Sequence, residues 1–344
     1  MEVNEAKPST RMKLFFWFIL GSFSVFFAEV VSGSQILAFF TPIDWLLVFP
    51  LYTLHTLVLW TVVFRYGRGH LYALFPAGAL FGLYEAYITK VIWYPGWSES
   101  PIYVGGVALV ETLLLVLFWH SFMAFIVPLF LAEGVLTSSR EVYTLLPGRV
   151  KAVFTSKSAR RIAILLAISA GIFQSIGAPT PLHSLASGVL NPIFLMALIA
   201  AWRRRGGAEY GFRDLLPGPR GFGVLLVLLG ADYVILGVLL NPDLLPGIGP
   251  QATVWAMYAF FSFLLYAAVR RSGAAVEERS DVYHLDTSVR WIAILTILFT
   301  AGSVFGSVTG FGFIFAMLAW VIGISIGLVT LGYTIRQVNH MSGR

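Results

Sequence analysis

The sequence predicts an all-α bundle that crosses a membrane about ten times, and three observations carry that reading. The 344 residues are 58% hydrophobic and only 12% charged, whereas soluble globular chains average about 25% charged. The apolar residues gather in runs that meet the roughly 20 residues a helix needs to cross about 30 Å of hydrocarbon. All but one of the 23 Lys and Arg residues fall on one side once those runs are read as spans, and short loops rich in Lys and Arg stay cytoplasmic.

The expected spans are Lys13–Val31, Pro42–Phe64, His70–Trp93, Val104–Leu136, Arg161–Gly177, Leu182–Trp202, Gly221–Leu240, Ala252–Val269, Trp291–Ser307 and Phe311–Tyr333. Inward lie Lys7, Arg11 and Lys13; Arg65 and Arg68; Arg140, Arg149, Lys151, Lys157, Arg160 and Arg161; Arg203, Arg204, Arg205, Arg213 and Arg220; Arg270, Arg271, Arg279 and Arg290; Arg336 and Arg344. Only Lys90 faces outward. Ten crossings place both termini in the cytoplasm of a cell whose inner or plasma membrane holds the protein.

Each span has its own chemistry. The first follows Lys7, Arg11 and Lys13, but Leu14–Ala28 is long for a signal-peptide core and Glu29 interrupts it, so it reads as a retained helix. The second carries His55. The third reads Tyr84-Glu85-Ala86-Tyr87-Ile88-Thr89-Lys90, with Thr89 one turn from Glu85. The fourth holds Glu111 and His120, with Pro128 and Glu133 near its inner end. Nine residues at 3.6 per turn put Glu111 and His120 on opposite faces, which excludes a metal site using both. Val142–Phe154 reads as an inner-surface segment broken at Pro147-Gly148. Gln174 ends the fifth span, and Pro179 and Pro181 punctuate the turn before the sixth. Pro128 in the fourth span and Asn191-Pro192 in the sixth predict interruptions of a kind that line transporter sites. Asp232 is the one ionisable residue inside the last five spans. Gly302/Gly306 and Gly323/Gly327 are GxxxG pairs, expected to pack neighbouring helices within the chain. Phe305–Phe313, with Gly306, Gly310 and Gly312, holds a tight turn. Trp93, Tyr94, Trp97 and Tyr103 on one side, and Trp202, Trp291 and Tyr333 on the other, match interfacial belts.

Composition also limits partners. The net charge of +6 is spread over short loop clusters that face anionic lipid headgroups, so lipids are expected partners and nucleic acid is not. The absence of cysteine excludes disulfides, thiolate metal sites and Cys nucleophiles. No soluble domain separates from the single membrane domain, 1–344. Within it a polar half (13–177) precedes an apolar, Gly-rich half (182–333). Five spans each, entering from opposite sides, suit an inverted repeat, although no residue-level repeat accompanies them.

At 1.5 Å per residue, Glu29, Glu85, Glu111, Gln174, Asn191 and Asp232 share a layer roughly 17–24 Å from the inner boundary. A carboxylate at such depth needs a partner, a proton or water, and the layer reads as an outward-open cavity binding a small-molecule or lipid substrate. Lys90 is read either as counter-ion to Glu85 or Glu111, or as a headgroup anchor. His55 and His120 form a deeper layer that could relay a proton or hold a metal; the commoner outcome for a lone membrane histidine, a hydrogen bond to a backbone carbonyl or a Ser/Thr on the next helix, is favoured over a metal. No cofactor is expected beyond a proton or monovalent cation. The metal motifs of prenyltransferases, the paired Glu of membrane prenyl-protein peptidases, the GxGD of intramembrane aspartyl proteases and the P-loop are all missing. The favoured function is a secondary transporter coupled to a proton or cation. The alternative is an intramembrane enzyme acting on a lipid or lipid-linked substrate at the outer leaflet, with Glu85 or Glu111 as acid/base and Lys90 on an anionic headgroup. Sequence leaves the oligomeric state and the substrate open.

Overall fold

The computed structural model describes residues 7–67, 70–146, 148–155, 158–270 and 288–340; Arg68, Pro147, Lys157, Arg271, Arg279 and Arg344, which entered the charge and turn reading, lie outside the described residues. Among the described residues nine helices are long and apolar enough to cross a membrane: Thr10–Val30, Pro42–Tyr66, Leu109–Leu136, Ala159–Gly177, Pro181–Arg204, Pro219–Leu239, Ile248–Arg270, Val289–Thr309 and Gly312–His340. Helices are the expected solution, because lipid offers no partner for backbone N–H and C=O groups. The only strands among the described residues form a two-stranded hairpin, Tyr103–Val104 with Val107–Ala108.

Three expectations about the spans are corrected. The expected third span, His70–Trp93, is not one rod: helix Leu71–Gly82 gives way at Leu83 to a single turn, Tyr84–Tyr87. Lys90 adopts φ 63°, a left-handed conformation that stops any continuation. The 17 positions from 71 to 87 reach about 25 Å if wholly helical. The fourth helix begins at Leu109, not Val104, because Gly105 and Gly106, at φ 60° and 80°, turn the hairpin that precedes it. Glu111 therefore sits in a first helical turn. Pro192 does not interrupt its helix: Pro181–Arg204 is continuous. A proline lacks the N–H that would bond the carbonyl four residues back, and that carbonyl, Gly188 O, accepts instead from the Thr300 hydroxyl at 2.7 Å. Pro128 is the second residue of helix Val127–Leu136, where the wider winding of 113–126 gives way to α-helix.

A feature with no counterpart in the expectations is local widening of helices to an i→i+5 pattern. It covers Phe26–Val30, Val62–Tyr66, Leu113–Ile126 and Tyr233–Leu239. Such turns are usually short and recur at functional sites. Three of the four adjoin or contain expected site residues, namely Glu29, Glu111 with His120, and Asp232.

The chain forms two compact units. The first comprises Met1–Thr53, Pro128–Pro217 and Val276–Leu318; the second comprises Leu54–Val127, Gly218–Ala275 and Ala319–Arg344. In the first, helix 159–174 lies against helix 289–309 at backbone distance. A Cβ on Gly171 would stand 2.0 Å from Phe299 O, and one on Gly302 2.4 Å from Ile168 O. The loops of this unit are tied to helix ends: the Trp202 indole donates to Leu136 O (2.6 Å), Trp17 to Leu215 O (2.7 Å), and Arg213 pairs with Glu141 at 2.5 Å. Glu133, fully buried, accepts the N–H groups of Val142 (2.9 Å) and Tyr143 (3.2 Å).

In the second unit helix 71–82 runs against helix 113–126, with Gly78 facing the Ser121 backbone and Gly82 facing Val116 and His120. Gly323 and Gly327 meet Phe118 and Leu117. Both GxxxG pairs are thus filled from within the chain, as expected, although each packs on a different helix and not on the other pair. The tight turn near Gly310 is also as expected: Thr309 ends one helix, Gly310 takes φ 75°, and Phe311 begins the next.

Candidate functional site

The second unit contains the densest ionisable cluster, built where the short turn Tyr84–Tyr87 meets the widened helix 113–126. Glu85 Oε1 lies 3.3 Å from His120 Nε2. The Tyr84 hydroxyl is 3.0 Å from the same nitrogen, and the Thr89 hydroxyl donates to Glu85 Oε2. His120 Nδ1 is 3.1 Å from Leu115 O, five residues back. A carbonyl only accepts, so Nδ1 carries a hydrogen. Nε2 faces both the Glu85 carboxyl and the Tyr84 hydroxyl: it donates to the carboxylate in a Glu⁻/His⁺ pair, or accepts from protonated Glu85 or from Tyr84. The first two of these forms share one proton between acid and base and are neutral together, which suits residues 7% and 1% exposed.

A second hydrogen-bonded string runs beside the first. His55 Nε2 is 3.1 Å from the Tyr233 hydroxyl, which is 3.1 Å from the Tyr258 hydroxyl. The His55 ring stacks on Phe81 with centroids 4.8 Å apart and stands 5.5 Å from Tyr84. His120 stands 4.9 Å from Tyr84 and 5.8 Å from Phe81. The two imidazoles therefore flank the same aromatic pair, Phe81 and Tyr84.

Lys90 takes neither expected role. Its ammonium is buried, donating to Tyr87 O and Gly237 O at 3.1 Å each. Those carbonyls lie at the last turns of helix 84–87 and of the widened 233–239 segment, where helix dipoles favour a cation. Gly237 permits the approach, since a Cβ there would stand 3.3 Å from Tyr87 O. Glu111 is 4% exposed and its Oε2 has no hydrogen-bond partner; Asp232 is half-buried, also with one unpartnered oxygen. The opposite-face argument for Glu111 and His120 needs correction. Most of the intervening residues wind at roughly 4.4 per turn, so nine positions make about two turns and return near the same side.

The first unit holds the remaining expected residues. Glu29 accepts from the Tyr52 hydroxyl at 2.5 Å and from the Ser34 hydroxyl. Gln174, Ser187, Asn191 and Ser303 form a fully buried polar nest. Gln174 Nε2 donates to Ser187 Oγ (3.0 Å), the Ser303 hydroxyl to Gln174 Oε1, and Asn191 Nδ2 to Ile36 O (2.8 Å) and Ser187 O (2.9 Å). Among the described residues no three His, Cys, Asp or Glu side chains are placed to hold a metal ion. Sequence reasoning missed Tyr84, Tyr233 and Tyr258 as site members. A mid-span tyrosine hydroxyl, which lipid cannot satisfy, was the signal that pointed to them.

These features define a multi-pass, all-helical integral membrane protein with ionisable groups paired inside the bundle. A family model described as "Uncharacterized membrane protein family" matches residues 18–340, and the chain belongs to that family. An Archaeoglobus fulgidus protein, described as an uncharacterized protein, is 34% identical over 258 residues, covering 74% of this chain and 78% of its own length. No solved structure matches the chain.

Proposed function

We propose that this protein is a secondary transporter that couples the movement of a small or amphiphilic solute to a proton held between Glu85 and His120. The observation that carries the reading is the Glu85–His120–Tyr84 arrangement. A buried acid and base share one proton, and a second hydroxyl and imidazole string lies alongside as a route for it. Ionisable groups inside a membrane bundle characteristically mark proton relays. Both Glu85 oxygens are engaged by protein groups, which favours a proton over a metal cation there. Nothing in the placement of Lys90 favours a lipid-processing enzyme, because its ammonium is committed to backbone carbonyls and not directed at a headgroup. In this proposal residues 71–87 form a kinked third crossing. The count is then ten, both termini are cytoplasmic, and the protein sits in the cell membrane.

Infrared pH-difference spectroscopy of the purified protein in lipid tests the proton assignment. A protonated-carboxyl C=O band should be present in the wild type and absent from Glu85→Gln, and in liposomes carrying a pH-sensitive dye Glu85→Gln should abolish solute-driven proton movement. Superimposable spectra for the wild type and Glu85→Gln would overturn the proposal.

A further inference from the structure

In the first unit a group of cations lies where two spans end side by side, and no acidic side chain answers it. Helix Thr10–Val25 begins where helix Pro181–Arg204 ends, since Phe15 and Phe16 stand 5.9 and 5.6 Å from the Trp202 ring. The Arg205 guanidinium sits over the Phe15 ring at 5.0 Å. It donates through Nη1 to Ala201 O at 3.3 Å, closing the last turn of its helix, and its remaining N–H groups make no described bond. Arg11 precedes Phe15 by four residues, so it occupies the same stripe of its helix one turn nearer the end. Both arginines are exposed, and neither forms an ion pair among the described residues. The acids of the adjoining loops are engaged elsewhere: Glu141 pairs with Arg213, and Asp214 accepts the Gly211 N–H. Lys13 donates to Leu216 O and Arg203 to Val135 O, which adds positive charge at this end without adding a carboxylate. The N-terminal dipole of helix 10–25 has the same sign.

We propose that Arg11 and Arg205, set on either side of Phe15, form a binding site for the phosphate of an anionic membrane lipid. A planar guanidinium held against an aromatic ring presents a fixed fork that matches two phosphate oxygens. The site lies at the first residue of one span and the last of another, the level at which a leaflet carries its headgroups. Three residues deeper than Arg11, Leu14 is 53% exposed and offers apolar surface along which an acyl chain can run. A phosphate free in water would use the guanidinium groups alone. The inference does not depend on the transport reading.

The test is thermal unfolding of the full-length protein in a non-ionic detergent, titrated with phosphatidylglycerol, phosphatidylcholine or inorganic phosphate at equal ionic strength. At about one hundred times Kd phosphatidylglycerol should raise the melting temperature by several degrees, and the other two by much less. Each arginine removed should weaken the lipid about fivefold, so Arg11→Gln with Arg205→Gln should move the titration midpoint by roughly 25-fold. Arg205→Lys, which keeps the charge and loses the fork, should fall between the wild type and Arg205→Gln. Arg220→Gln, at an exposed arginine of the second unit, should leave the midpoint in place. An equal rise with phosphatidylcholine or inorganic phosphate, an unmoved midpoint in the double variant, or an equal displacement in Arg220→Gln overturns the proposal. Should the double variant not fold, Arg11→Gln alone decides, because Arg11 makes no side-chain bond among the described residues: a midpoint moved about fivefold supports the site, and an unmoved one overturns it.

Discussion

Glu85 should be energetically coupled to His120 and not to Lys90. At 3.3 Å, full charges attract by about 5 kcal/mol at an effective dielectric constant of about 20, before the cost of desolvating both groups. Contacting pairs in one network show coupling energies of roughly 0.5–3 kcal/mol, and losing one member of a buried pair costs roughly 3–5 kcal/mol. The variants are Glu85→Gln, which keeps the side-chain shape, and His120→Phe, which keeps a ring against Tyr84 and Phe81. His120→Phe should be the worse single change, because it leaves a buried carboxylate without its base. The double variant should be more stable than additivity requires by about 1–3 kcal/mol. With about 2 °C per kcal/mol for a chain of this length, that is a discrepancy of about 2–6 °C among the four melting temperatures in one detergent. A parallel cycle with Lys90→Met should be additive within about 0.5 kcal/mol, since Lys90 is bonded to carbonyls only; Lys90→Met itself should cost about 1–3 kcal/mol by leaving those carbonyls unpaired. Additivity in the Glu85/His120 cycle, or coupling in the Glu85/Lys90 cycle, would refute this assignment.

Other outcomes follow from the packing and the proposed topology. Gly177→Ala places a Cβ 1.7 Å from Gly33 O, backbone against backbone, and should destabilise by about 3 kcal/mol or more; Gly230→Ala, with nothing within 4 Å, should leave the melting temperature unchanged or slightly higher. Gly302→Ala and Gly323→Ala should lower stability while leaving the mass of the particle in native mass spectrometry unchanged, because both glycines pack inside one chain; altered stoichiometry would refute that. Glu133→Gln should cost about 1–3 kcal/mol and expose the 137–146 segment to protease faster than in the wild type. With no native cysteine in the chain, single cysteines at Glu99 and Gly247 should react with an impermeant reagent in intact cells, and one at Glu209 only after permeabilisation. Reaction at Glu209 in intact cells would refute a cytoplasmic placement of that loop.

The membrane class, the positions of most crossings, the internal use of both GxxxG pairs and the turn at Gly310 were legible from residues alone. Apolar run length, small-residue spacing and the φ demands of glycine act locally, so a linear reading reaches them. The candidate pairings were not legible. Glu85 meets His120, 35 positions later, and His55 meets Tyr233, 178 positions later; such partners are set by the register of one helix against another. Lys90 was misread because its chemistry depends on two helix ends meeting it, and Pro192 because Thr300, on another helix, accepts the task of bonding the freed carbonyl. The widened winding of 113–126 leaves no mark in a run of Leu, Phe and Val, because an apolar run with so little polar punctuation has no facial pattern from which the two windings could be told apart. It nonetheless decides that Glu111 and His120 share a side, so the sequence determined which polar groups enter the membrane, while tertiary packing alone decided which of them are paired.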